Sequence, residues 1–396
     1  MKMHALAVPT VTLILACLVT RSHSHIVQWR ETRLPGPIRD AIESGAAAAY
    51  NKEDCLWRRG NDQDVCPDPD LYVYLYTPGR PRRLLDPSQQ SDWLRQDYEP
   101  TKDSVILIHG YAGGDDILPV AILRDAYLRN GSYNVFLVDW GALSARPCYP
   151  AAVANVRPVA RCLAGVFTTL RNLGLPITRT TCIGHSLGAH VCGTMANYLL
   201  FRMHKIIGLD PARPLVRLGL VNRLDSGDAD FVQVIHTNAG YYGEVGRIGH
   251  VDFCVNGGKV QPFCQDREMY QLCSHVWSVC FMAQSVDDGT SMMAESCSRR
   301  CPSGPRIAAR AGVYVSMGQH TPANTRGSFC LNMSEPPYCP KYWNGRGDER
   351  CCVPEDETND EKIEKNNVKR DDNSKRSKSA KRPSFELILR RLRDIN

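Results

Sequence analysis

Five compact apolar runs, each closing on polar or glycine-bearing sequence, constrain this chain more than any other feature. They are "SVILIHG", "YNVFLVDWG", "RTTCIGHS", "HKIIGLDP" and "FVQVIHTN". Near-continuous apolar runs of this length read as strands buried on both faces. Helix-length segments lie between them, including Val153 to Leu173 and Leu187 to Phe201. Strands alternating with helices predict an α/β fold, a largely parallel central sheet with helices on both faces. The earlier run "LYVYLYT" alternates as a half-buried strand does. Ligands in such sheets bind beyond the carboxyl ends of the strands. His109, Trp140, Ser186, Asp210 and His236 all fall at such ends.

The ends of the chain differ from this middle. Residues 1–24 carry Lys2, an apolar run from Ala5 to Val19 and small residues near Ser22 and Ser24. That is a secretory signal pattern, its apolar part too short for a membrane span. No other run is long and apolar enough to cross a bilayer, so a secreted, extracellular protein without a transmembrane segment is expected. Of 17 cysteines, only Cys17 lies in the signal, and the even remainder suits an oxidising compartment. Those in polar sequence, such as Cys55, Cys66, Cys297 and Cys301, are plausible bridge partners. Cys182 and Cys192 flank an apolar strand-to-helix passage and read instead as buried free thiols. Asn130 and Asn332 open sequons and are candidate glycosylation sites.

The net charge of +6 belongs to the tail: residues 367–396 hold ten Lys/Arg and four Asp/Glu, and the remainder is neutral. No nucleic-acid-binding core is implied. From Glu355 to Pro383 there is almost no apolar residue, so this stretch cannot bury a core and is expected to be disordered. The expected organisation is therefore a signal (1–24), an α/β domain (25–345) and a charged tail (346–396). Within the tail, Phe385, Ile388, Leu389 and Leu392 share helical spacing beside Arg390, Arg391 and Arg393. That segment could dock on anionic lipid, although a disordered end trimmed at its dibasic pairs is the preferred reading.

Gly184-His185-Ser186-Leu187-Gly188 is a G-x-S-x-G between an apolar strand and a probable helix. A turn that sharp excludes side chains at the glycines and lifts the serine hydroxyl beside the helix amino end. A serine hydroxyl needs a base to take its proton and an acid to orient that base. Asp210 ends "IIGLD" ahead of Pro211 and is the preferred acid over Asp225, Asp228 and Asp230, which share one polar loop. For the base, spacing leaves His236 and His275 equal. An oxyanion needs two backbone N–H groups; Leu187 offers one and Tyr111, in "LIHGYAGG", the other.

Taken together, "ILIHGY", "VDWG", "IGHSLGAHV", "IGLDPARP", "RLDSGDADFVQVIHT", "GHVDFCVNGG" and "CSHVW" make the chain resemble the pancreatic lipase family of animal α/β-hydrolases, across roughly residues 70 to 335. The resemblance implies an α/β-hydrolase fold, Ser186 as nucleophile, Asp210 as acid, His275 as base, and Tyr111 and Leu187 as oxyanion donors. It also implies a lid closed by a Cys264–Cys273 disulfide. That lid, and the loop Ala239 to Ile248, look shorter than in triacylglycerol lipases and similar to those of phospholipase A1 and insect neutral lipase members. Family calcium ligands would fall near Arg223, Asp225 and Asp228, but Leu220 stands where pancreatic enzymes carry an acid, which speaks against a calcium site; no cofactor or metal is expected. The colipase-binding β-sandwich has no counterpart, so no colipase partner is expected. The implied activity is hydrolysis of glycerolipid esters at a membrane or lipid-droplet surface, phospholipid ahead of neutral glyceride. A non-catalytic lipid-binding or yolk-type storage protein is the rival, weakened by retention of all three triad residues.

Overall fold

A computed structural model describes residues 55–58, 65–85, 96–117, 119–216, 223–265, 269–286, 292–297, 301 and 312–333. The signal, the tail and Leu220 lie outside the described residues. Parallel strands β3 (Asp103–Ile108), β4 (Tyr133–Asp139), β5 (Thr180–His185), β6 (Met203–Leu209), β7 (Ala229–His236) and β8 (Val251–Val255) form the centre of one sheet. At one edge lie antiparallel β1 (Tyr72–Tyr76) and β2 (Arg83–Leu84); at the other, β9 (Met292–Ser296), β10 (Tyr314–Met317) and β11 (Gly327–Leu331). The order is β10-β9-β11-β8-β7-β6-β5-β3-β4-β1-β2. Strands β3, β4 and β5 are buried along almost their whole length, as their apolar runs require. β1 alternates buried and half-buried positions because it lies near an edge.

Among the described residues, two helices cover each face. α2 (Tyr149–Asn172) and α3 (Leu187–Ala196) pack over the cluster holding Ile106, Val138, Phe167 and Val234. α1 (Val120–Asn130) and α4 (Tyr270–Ser285) pack over Leu107, Leu137, Phe253 and Trp277 on the other side. This mostly parallel sheet with helices on both faces is the α/β-hydrolase fold. α3 ends at Ala196 rather than Phe201, because Asn197, Tyr198 and Leu199 each bond the carbonyl three residues back. These tighter turns close the helix early. No described helix is long and apolar enough to cross a membrane.

The disulfides correct one expectation. Cys182 and Cys192 are not free thiols but are bonded to each other, with Cα atoms 6.1 Å apart. The residues lie ten apart, on β5 and α3, which run antiparallel away from the same sharp turn, so side chains on their facing sides meet. An apolar setting, which suggested free thiols, is simply where this bridge is buried. Cys55–Cys148 and Cys66–Cys162 tie the segment before β1 to α2, and Cys254–Cys301 and Cys297–Cys330 lock the β8–β11 end.

Candidate active site

Ser186 sits between β5 and α3 with φ 57° and ψ −120°, a conformation side-chain-bearing residues rarely adopt. The turn exists because neighbouring positions carry no Cβ. A Cβ at Gly184 would stand 2.2 Å from the Gly188 carbonyl oxygen, and one at Gly188 2.2 Å from that of Ile108. Ser186 N–H donates to the Leu209 carbonyl at 3.0 Å, which sets the serine beside Asp210.

Asp210 is fully buried and its two oxygens are separately used. Oδ1 accepts the N–H groups of Thr237 at 2.9 Å and Asn238 at 3.0 Å; Oδ2 lies 2.5 Å from His275 Nδ1. That arrangement leaves Nε2 of His275 directed away from the acid and available as a base. Of the two histidines that spacing left open, the structure brings His275 to Asp210 and pairs His236 with Asp252. His236 is fully buried, with Nε2 3.0 Å from Asp252 Oδ1. Burial pushes the His236 pKa down, but the hydrogen bond and charge of Asp252 outweigh it and the net shift is upward.

His275 is fixed from two more directions. The His185 ring lies 4.7 Å from its ring, and His185 Nε2 is 3.2 Å from its carbonyl oxygen. Burial, with the adjoining His275, holds the His185 pKa well below the usual imidazole range, so His185 is neutral and its Nε2–H donates. Tyr242 packs against the other side of His275, ring centroids 5.5 Å apart. Among the described residues, no hydrogen bond to Ser186 Oγ is formed; Ser186 and His275 are neighbours through His185.

Both expected oxyanion residues border the serine. Leu187 opens α3, where a helix leaves its N–H groups without partners inside the helix. Tyr111 follows Gly110, where a Cβ would stand 2.7 Å from the Ser186 Cβ. Sequence reasoning missed what holds this loop. Trp140 donates its backbone N–H to His109 Nε2 at 3.1 Å and its indole N–H to the His109 carbonyl at 2.9 Å. His109 Nδ1 lies 2.8 Å from the Gly110 carbonyl oxygen. The signal was the placement of His109 and Trp140 at adjacent strand ends.

The lid cysteines Cys264 and Cys273 are joined and buried, with the Phe263 ring 5.3 Å from that of Trp277. Asn238 connects this region to the acid, donating its side-chain amide to Gln271 Oε1 at 2.6 Å and the Lys259 carbonyl at 2.9 Å. The loop Ala239–Ile248 turns inward: Gly243 rests against Asp210, where a Cβ would lie 2.4 Å from Oδ1.

The polar loop holding the other acids is stitched to itself. Asp228 accepts the Asp225 N–H at 2.8 Å, Asp225 accepts that of Gly227 at 2.6 Å, and Asp230 pairs with Arg202. Burial raises the Asp228 pKa to about 7. Asp225 and Asp228 thus each already accept a backbone N–H of their own loop. Of the two sequons, Asn130 donates its side-chain amide to the Val286 carbonyl at 3.0 Å, while Asn332 is exposed.

Comparison with known proteins gives relatives for about half of the chain. The chain is 33% identical over 229 residues to Phospholipase A1 member A of Rattus norvegicus, covering 56% of this chain and 50% of that one. It is 31% identical over 233 residues to Lipase member H-B of Xenopus laevis, covering 57% and 51%. With Pancreatic triacylglycerol lipase of Oryctolagus cuniculus it shares 30% identity over 247 residues, 56% and 53% of the two chains. The chain thus spans about half the length of the curated relatives it matches. A family model described as Lipase matches residues 61–301, well over half of the 396 residues, and the chain belongs to that family.

Proposed function

We propose that this protein is a secreted serine hydrolase of glycerolipid esters, with Ser186 as nucleophile, His275 as base and Asp210 as the acid. The observation that carries the reading is the buried 2.5 Å contact between His275 Nδ1 and Asp210 Oδ2 beside a serine held on a strained turn. Ser186 Oγ bonds to the acyl carbonyl carbon while His275 Nε2 takes its proton and the carbonyl electron pair moves onto oxygen. Leu187 and Tyr111 N–H groups stabilise that oxyanion. Collapse expels the glycerol oxygen, which takes the proton from His275, and a water repeats the sequence to free the fatty acid. Asp210 keeps the imidazole in the required tautomer and stabilises its charged form.

The preferred substrate is a phospholipid cleaved in the manner of a phospholipase A1. Support comes from the short lid segment, closed by cysteines nine residues apart, and from a second loop whose Gly243 lies against Asp210. A relative named Phospholipase A1 member A, at 33% identity, points the same way. The test is hydrolysis of phosphatidylcholine and triolein by the whole protein. Faster release of the sn-1 fatty acid from phosphatidylcholine is expected; cleavage of triolein alone would reverse the preference to neutral glycerides, and a protein that binds both lipids but cleaves neither would restore the storage role.

A further inference from the structure

The loop between β7 and β8 walls the Asp210 side of the site, and its two ends meet on one buried pair. His236 Nε2 lies 3.0 Å from Asp252 Oδ1. At the loop's far end the same carboxylate accepts Ile248 N–H at 3.1 Å and Gly249 N–H at 3.2 Å. At the near end, the two residues after His236 donate their N–H groups to Asp210 Oδ1. Midway, Gly243 lies against the Asp210 carboxyl group and Tyr242 against the His275 ring. His236 is fully inaccessible and Asp252 2% exposed, so neither touches a substrate.

A buried pair of this kind is a poor way to gain stability, because desolvation offsets most of the attraction. What it does supply is geometry. Removing the imidazole leaves a buried carboxylate short of a partner, and the two loop ends are then free to part.

We infer that His236 and Asp252 are positioning residues, which act through this loop to keep Asp210 aligned with His275. The inference rests on the triad reading of Ser186, Asp210 and His275. A tilt of the Asp210 carboxylate misorients the base without altering the acyl groove, so the loss falls on kcat and not on KM.

The test measures hydrolysis of p-nitrophenyl butyrate, a soluble ester that needs no lipid surface, by full-length protein. Rates are divided by the serines titrated exhaustively with a fluorophosphonate, so misfolded molecules do not count. His236→Leu, which removes the donor, is expected to lower kcat on the order of 10- to 100-fold, the usual cost of a misplaced catalytic group, with KM near wild type. His236→Gln, which keeps an N–H donor, is expected to recover most of the rate. Asp252→Asn retains an acceptor for the Ile248 and Gly249 amides but loses the charge, and serves where His236→Leu does not fold. Wild-type kcat per titrated serine in His236→Leu or Asp252→Asn overturns the inference, as does a loss confined to KM or a His236→Gln no better than His236→Leu. Wild-type protein that matches Ser186→Ala, cleaving no ester and taking no label, removes the triad reading and the inference with it.

Discussion

Ser186 stands at φ 57°, ψ −120°, a backbone strain worth about 1–3 kcal/mol. The surrounding packing must repay that strain, and the glycines at 184 and 188 are where it does so. Gly188→Ala places a methyl 2.2 Å from the backbone oxygen of Ile108, an atom of a central strand that cannot give way. The expected result is a loss of stability of about 1–3 kcal/mol together with loss of phosphonate labelling; an alanine variant that melts and labels like wild type contradicts it. His190 offers a second test at this scale. It is buried in α3, accepts the Leu224 N–H at Nδ1, and lies with Nε2 2.6 Å from the Ala212 carbonyl oxygen. Burial lowers its pKa from 6.5 to about 4. The unfolded chain therefore binds the proton first, so this group's stabilisation is present above about 6.5 and is lost as pH falls towards 4. The loss is roughly 3 kcal/mol. Asp228, raised from 3.8 to about 7, acts in the opposite sense across this whole window. The measurement is accordingly the difference in unfolding free energy between wild type and His190→Gln across pH 7 to 4, which is expected to shrink; a constant difference would count against it.

At the scale of elements, the unit that presents Ser186 is β5, a sharp turn and α3, stapled by Cys182–Cys192. Closing a loop of this length stabilises by about 2–3 kcal/mol through the unfolded chain. Replacing both cysteines by alanine is expected to lower the urea midpoint by a corresponding amount; an unchanged midpoint would show that the bridge is dispensable. The helix α4 performs two tasks at once. It carries His275, and its first turn closes the lid through Cys273 and reaches Asn238 through Gln271. The order of elements was legible in the sequence because buried parallel strands leave short apolar runs with chemistry at their carboxyl ends. Ser186 and Asp210 were legible for the same reason: each is marked by its immediate neighbours. The pairing of His275 with Asp210 spans 65 residues, and that of His236 with Asp252 is fixed by adjacent strands. Local pattern cannot rank two histidines whose partners are chosen by tertiary contact; only the family motif "CSHVW" favoured His275. The same limit explains the Cys182–Cys192 misreading, since a facing strand and helix look, in sequence, like any apolar passage.

For the molecule as a whole, the candidate catalytic residues Ser186, Asp210 and His275 gather at one end of the sheet while disulfides secure its flanks, Cys55 and Cys66 to α2 on one side and the β8–β11 strands on the other. Such cross-linking suits a protein working outside the cell. The central claim is that Ser186 is the nucleophile of this site, activated by His275 and Asp210. Its most direct test is reaction of the full-length protein with a fluorophosphonate, followed by peptide mapping of the modified residue. One label per chain is expected on Ser186, abolished in Ser186→Ala and slowed by orders of magnitude in His275→Ala, as when the base of a triad is removed. A folded protein that takes no label, or one labelled equally well in Ser186→Ala, would contradict it.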